Sequence, residues 1–375
     1  VQDLINFRRY LHQHPELSGQ EKGTSQKIIE FITPFNPIKI IRDIGGHGVA
    51  IVYEFSKEGS TIMIRCELDA LPIEEKNNFY YCSKNQNVSH KCGHDGHMII
   101  LCGLAQKLQN CDFKSGKVVL LFQPAEENGQ GAKAVLEDPR FHEIKPEYVF
   151  ALHNLPGLPM HSIYQVKGQF TPTVQSLAIK LGGKTAHAAE PENGINPALA
   201  ISELIQAFKK LEIPNPNDLD FTLITPIHIS MGQKDYGLSA GKGELHFTIR
   251  CWSVEKMNNL VSECYAQLEK ICNSHHLTYE TDWFDYFPTV MNSDFCNQYI
   301  SEAAKKMNLS IIHPTHGCKF GEDFGFFTQH YSGAMFGLGA GKKTSALHHD
   351  DYDFPDELIE TGVDMFWGIL KEMLD

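Results

Sequence analysis

The chain has 375 residues, 42% of them hydrophobic, and a formal net charge of −13 from 46 acidic and 33 basic side chains. That length suits one large domain or two ordinary ones, and an acidic surface repels phosphate backbones, which sets nucleic acid aside as a partner. The ten cysteines form no CxxC pair. In a chain this long they read as buried thiols rather than a disulfide framework, so a reducing cytoplasm is the expected setting.

The opening VQDLINFRRYLHQHPEL reads as an amphipathic helix over about 2–13, with Leu4, Ile5, Phe7 and Leu11 on one face, and not as a signal peptide. No apolar run approaches the roughly 18 residues of a membrane helix. A second helix is expected over about 22–33. GVAIVYEF (48–55) and STIMIRCEL (60–68) are strand-like runs joined by SKEGS. After the bend HKCGHDGHM comes a largely buried helix carrying Ile99, Leu101, Cys102, Leu104, Ala105 and Leu108. KVVLLFQ (117–123) and EYVFALH (147–153) are nearly continuous apolar runs, as central strands covered on both faces should be. A helical GAKAVLED lies between them, and this βαβ rhythm predicts an α/β class: a mixed sheet flanked by helices.

The pattern changes near residue 168. Strand 176–183 is followed by a helix in which Asn196 caps and Pro197 takes the first position. Two strands (FTLITPIHISMG, GELHFTIRCW), a helix marked by Met257, Leu260, Val261, Cys264, Leu268 and Ile271, and a final strand HLTYETDWF complete β-α-β-β-α-β. This predicts a ferredoxin-like α+β domain at 168–282 inserted into a domain made of 1–167 and 283–375. The latter resumes with a helix at 293–307 and a strand near 310–313, and ends in the helix of PDELIETGVDMFWGILKEML.

Four stretches carry candidate chemistry. In HKCGHDGHM, Cys92 and His94 are two apart and His97 follows three later; thiolate and imidazole favour zinc-like ions. The plainer alternative is a loop with a buried Cys and a helix capped by Asp95. QPAEENGQG follows an apolar strand and holds adjacent Glu126 and Glu127. Neighbouring side chains at a strand end point apart, so one acid can bind metal while the other acts as base, although an isolated acid pair is more often a solvated loop. His153 ends its strand where open α/β sheets place ligands. SALHHDDYDFPDE presents His348 and His349 beside three aspartates. Together these supply one Cys, several His and an acid pair at strand-end loops of one sheet, a set suited to one or two transition-metal ions.

Over nearly its whole length the chain resembles the di-metal amidohydrolases related to aminoacylase and the zinc exopeptidases, a group that includes hippurate hydrolase, auxin-conjugate hydrolases and N-acetyldiaminopimelate deacetylases. The resemblance runs through FRRYLHQHPELSGQEKGT, RCELDALPIEE, HKCGHDGHM, VVLLFQPAEENGQGA, FALHNLPG, KTAHAAEPENGINP, GEDFGFF and LHHDDYDFPDE. It implies a zinc-exopeptidase-like catalytic domain holding two divalent ions (zinc, manganese, cobalt or nickel) on Cys92, His94, Glu127, His153 and His348, with Cys92 a candidate bridge. It implies Glu126 as general base, Asp69 as the acid orienting a ligand histidine, and His187 as a donor over the site. Arg250 reads equally as a fork for a substrate carboxylate and as a strand Arg covering apolar surface. Glu322 and Asp323 fall near the site with no role attached. The implied reaction is hydrolysis of the amide bond of an N-acyl amino acid or small conjugate. The nearest alternative is a dipeptidase. A non-catalytic metal-binding relative and a cysteine hydrolase using Cys92 are further readings. The small domain often pairs chains in this group, which makes a homodimer an expectation of the resemblance. Two departures stand out: Glu67 where the family has Asp, and KDYGLSAG (234–241) where relatives carry a segment lining the substrate side.

Overall fold

The computed structural model describes residues 1–375. The chain divides into two compact units: Val1–Phe170 with Val290–Gly317 and Glu322–Asp375, and Thr171–Thr289 with Cys318–Gly321. No helix is long and apolar enough to cross a membrane.

The larger unit is built on an eight-stranded mixed sheet in the order Lys39–Ile44, Gly48–Glu54, Lys117–Gln123, Thr61–Glu67, Tyr148–Leu155, Ser332–Gly339, Ile163–Tyr164, Ile311–Ile312. Its four central strands run parallel, with Glu67 opposite Gln123 and Leu155 opposite Gly339. Their runs VVLLF, VFALHNL and GAMFGLG are buried throughout, because helices cover both faces of a parallel sheet. Gly48–Glu54 and Thr61–Glu67 are consecutive in sequence yet do not pair. Lys117–Gln123 lies between them, antiparallel to the first and parallel to the second. The chain reaches that place by a crossover through helix His94–Leu108, the only economical way to bring two parallel strands together.

Helix His94–Leu108 is buried almost all round and packs against Gln2–Gln13 and Leu358–Leu374. The N-terminal helix buries Leu4 and Leu11 as its apolar spacing predicts, but also Arg8 and His12, both wholly inaccessible. Arg8 Nη1 meets Asp95 at 3.1 Å and Asp353 at 2.8 Å. His12 Nδ1 lies 2.8 Å from Asp95 and Nε2 3.0 Å from Glu75. Asp95 therefore anchors two helices to each other and does not cap its own; the N-cap is Gly93.

Burial disfavours the His12 imidazolium, yet the Asp95 and Glu75 hydrogen bonds outweigh it and raise the pKa to about 9. A group held above its unfolded pKa stabilises fully below about 6.5, and that stabilisation fades as pH rises through 9. The stake is about 3 kcal/mol. Denaturant midpoints measured from pH 6 to 10 should fall less steeply for His12→Gln than for the wild type, and parallel curves would refute this coupling.

The smaller unit has a four-stranded antiparallel sheet in the order Thr222–Met231, Lys242–Cys251, Thr173–Gly182, Thr278–Phe287. Helices Ala198–Lys209 and Val254–Ser274 cover one face, where Leu177, Ile179, Leu204, Phe208, Phe247 and Leu260 pack. Sequence order and sheet order together give the ferredoxin-like split βαβ arrangement. Asn196 Oδ1 accepts from Ala198 N at 2.9 Å, while Pro197 stands at the N-cap, one place earlier than its residue type suggests. The last strand continues past 282, since Phe287 still pairs with Val174.

Candidate metal centre

Parallel strands end on one edge of the large sheet, and the loops leaving that edge carry the candidate ligands, as expected for open α/β sheets. Asp69 follows strand Thr61–Glu67, Glu126 and Glu127 follow Lys117–Gln123, and His153 lies near the end of Tyr148–Leu155. His348 sits beyond Ser332–Gly339, its N–H bonded to the Lys91 carbonyl at 2.8 Å. Cys92 and His94 flank Gly93, whose φ of 95° and close approach to Asn154 leave no room for a side chain: a Cβ would sit 2.5 Å from Asn154 Oδ1.

The structure brings Cys92, His94 and His153 together, their ligand atoms within 4.8 Å of one another, and does the same for Cys92, Glu127 and His348. Cys92 belongs to both groups. Its Sγ is 3.4 Å from His153 Nε2. His94 Nε2 is 3.9 Å from Glu126 Oε2 and 3.8 Å from Glu127 Oε1, and His348 Nε2 is 3.8 Å from Glu127 Oε2. Cys92, His94, Glu126 and His153 are buried; His348 is exposed.

The imidazoles are oriented from behind. His94 Nδ1 donates to the Asp69 carbonyl at 2.8 Å, and His153 Nδ1 to the Asn154 carbonyl at 2.9 Å, which turns each Nε2 lone pair toward the cluster. Asp69 also accepts from Glu127 N (3.0 Å) and Ser18 Oγ (2.7 Å), so one acid orders both a histidine and the acid-pair turn. His94 Nε2 and Glu127 Oε1 are buried with no hydrogen-bond partner. Buried polar atoms are rarely left so. Unpartnered ligand atoms of this kind, beside a thiol and further imidazoles, fit a divalent cation.

Electrostatics around the pair is uneven. Burial, then Glu322 and Glu127, push the Glu126 carboxyl well above the usual range. Burial also raises the Cys92 thiol, with Glu127 and Glu126 adding to it. His94 is raised to about 10: burial opposes its charge, but Asp69 and Glu67 win. His153 is lowered to about 3 by burial and the neighbouring His97.

A buried network behind the cluster carries residues that sequence reasoning left without a role. Glu67 Oε2 reaches His97 Nδ1 at 2.6 Å, and its other oxygen accepts from Arg65 Nη1. The additional methylene relative to Asp is therefore spent on bridging a histidine and an arginine. Burial opposes the Glu67 carboxylate, but Arg65 and His97 hold it well below its ordinary pKa. Arg65 also donates to Asp323 (2.6 Å) and Gln123 (2.8 Å), and its Nη2 pairs with Glu322 at 3.0 Å. Glu322 and Asp323 in turn lie beside Glu126. A charged pair inside the apolar run TIMIRCE was the available signal.

His187 and Arg250 belong to the smaller unit. His187 is exposed on a two-residue strand, Ala186–His187, paired antiparallel with Leu238–Ser239. Its Nδ1 accepts from Ala189 N at 3.0 Å, so Nε2 carries the proton. The 234–241 departure is thus the partner strand of His187. Arg250 is half-buried, donates from Nε to the Lys319 carbonyl at 3.1 Å, and forms no ion pair.

A sheet whose strand ends gather a thiol, imidazoles and paired acids defines a metallohydrolase class of fold and site. The family model "Peptidase family M20/M25/M40" matches residues 63–372, and the chain belongs to that family. It is 32% identical to an N-acetyl-L-cysteine deacetylase of Bacillus subtilis (strain 168), covering 99% of this chain and 88% of the relative. It is 29% identical to an N-acetyldiaminopimelate deacetylase of Lactobacillus helveticus (strain DPC 4571), covering 98% and 97%. Among solved structures, a dinuclear metal binding peptidase of the M20 family from Bacillus subtilis superposes with a TM-score of 0.84 at 27% identity, covering 100% of this chain and 98% of that one.

Proposed function

We infer that the protein is a metal-dependent amidohydrolase that cleaves an N-acyl amino acid or similar small conjugate into a carboxylic acid and the free amino acid. The observation that carries this is Cys92 standing in two ligand groups at once, with Glu126 beside both. That arrangement supports two divalent ions, which Cys92, His94, Glu127, His153 and His348 would hold. The dinuclear relative and the deacetylase relatives support the same reading.

When bound, such an ion pair polarises the amide carbonyl and makes water a nucleophile near neutral pH. Glu126 takes a proton from the attacking water and returns it to the leaving amine. Asp69 keeps His94 and the Glu127 backbone in register. The family resemblance alone suggests an oxyanion donor at His187 and a substrate-carboxylate fork at Arg250. Ten free cysteines support a reducing cytoplasmic setting. The exposed Ile227, Ile229 and Met231 on edge strand Thr222–Met231 support a homodimer.

Assays of acetyl- and benzoyl-amino acids against free dipeptides, after chelation and restoration with zinc, manganese, cobalt or nickel, test the proposal. Turnover of the N-acyl compounds that is lost on chelation and regained with metal is expected. Preference for dipeptides would move the protein to the peptidase reading. The Cys92–His153 contact gives a cysteine nucleophile its one foothold. Activity that survives chelation but not thiol alkylation would favour that instead.

A further inference from the structure

The motif HPELSGQE, residues 14–21, enters the site above only through Ser18, yet it lies against both loops that carry acids. Leu17 bridges to Ala70, and Ala70 N donates to the Glu16 carbonyl at 2.8 Å. Ser18 Oγ holds Asp69. Glu21 is wholly inaccessible; its Oε1 accepts from Gly19 N and from Ala125 N, both at 2.8 Å, and its Oε2 has no partner. Ala125 immediately precedes the acid pair and has φ of 52°, a left-handed conformation that a residue with a Cβ adopts only under constraint. Its carbonyl is tied down as well, by Gly131 N at 2.9 Å.

A backbone held in a disfavoured conformation at a functional turn needs surrounding structure to enforce it. Here the enforcing group on the N–H side is a buried carboxylate from a segment about a hundred residues away in sequence. We propose that Glu21 is a positioning residue: by gripping the Ala125 N–H it fixes the left-handed turn that aims Glu126 and Glu127. The proposal rests on the reading of Glu126 as base and Glu127 as ligand. Glu16, in the same loop, has a different task. Its side chain accepts from Gly23 N, Thr24 N and Thr24 Oγ and so caps helix Lys22–Ile32.

The test compares the wild type, Glu21→Ala, Glu21→Gln, the double variant Glu21→Ala with Ala125→Gly, and Thr24→Ala. The last loosens the Glu16 cap and serves as the stability control. Each is assayed for kcat and KM on an N-acetyl amino acid and for backbone hydrogen exchange over 123–131. Glu21→Ala should lower kcat roughly 10- to 100-fold with KM little changed, and should speed exchange at the Ala125 amide. Glu21→Gln keeps a carbonyl oxygen facing Ala125 N and should restore both. Glycine enters the left-handed region freely, so Ala125→Gly should recover part of the kcat lost in Glu21→Ala. Thr24→Ala should lower the melting temperature and leave kcat unchanged. The proposal is overturned if Glu21→Ala keeps wild-type kcat and exchange, or if Glu21→Gln is as impaired as Glu21→Ala. It is also overturned if Thr24→Ala loses kcat in the same proportion to its lost stability. A wild type that hydrolyses no N-acyl amino acid would refute the functional reading, while exchange at Ala125 would still decide the role of Glu21.

Discussion

Replacing Glu126 by Gln is expected to lower kcat by about 10²–10⁴-fold while the protein keeps its full metal content and its fold. The substitution preserves shape and removes only the ability to accept and return a proton. Glu126 is separated from the ligands by direction as much as by position. Both acids lie near His94, but only Glu127 also groups with Cys92 and His348, whereas Glu126 groups with the buried acids Glu322 and Asp323. Burial and the neighbouring acids already disfavour the Glu126 carboxylate, so a neutral amide of the same shape should leave the melting temperature unchanged or raise it. Elemental analysis for bound metal, thermal melts and steady-state kinetics on the same preparation separate these effects. A variant with normal turnover would hand the proton-transfer role to another group. One that had lost its metal would show that Glu126 is a ligand.

Much of the fold can be read along the chain because its signals are local. VVLLF and VFALH announce covered parallel strands by composition alone, and the 168–282 stretch spells its β-α-β-β-α-β order through spacing and caps. The order of strands in the sheet is less local. GVAIVYE and TIMIRCE look like a hairpin until the crossover helix inserts Lys117–Gln123 between them, and nothing in the short SKEGS connection signals that. The gathering of Cys92, His94, Glu127, His153 and His348 is likewise a property of the sheet edge, visible in sequence only as separate loops of reactive residues. What escaped was the support behind them. Arg65 meets Asp323 across 258 positions, and Arg8 meets Asp353 across 345. Glu21 shows the same limit on a shorter scale, since a glutamate two residues past a glycine reads as surface until Ala125 is folded against it.

Arg65→Met is expected to cause the largest loss of stability of any single substitution around the site. Arg65 is buried to the last atom accessible to solvent and is ringed by Glu67, Glu322 and Asp323, with Gln123 on its Nε. Methionine fills much of the same volume, so packing is a minor part of the effect. The cost comes from three carboxyl groups left in the interior without their cation, and breaking a buried ion pair from one side typically costs about 3–5 kcal/mol. That exceeds what an exposed pair such as Lys27–Glu30 can contribute, a fraction of which is lost to solvent screening. Arg65→Lys should recover only part of the loss. A single ammonium cannot reproduce the fork that bonds Gln123, Glu67 and Asp323 at once. Denaturant midpoints for the two variants and the wild type give the ranking directly. Equal midpoints for wild type and Arg65→Met would mean that the three acids settle by protonation or by water at no net cost, and that the network contributes nothing to folding. If instead the ranking holds while kcat falls with it, the same arginine also fixes the surroundings of Glu126, because Glu322 and Asp323 are the groups it shares with that carboxylate.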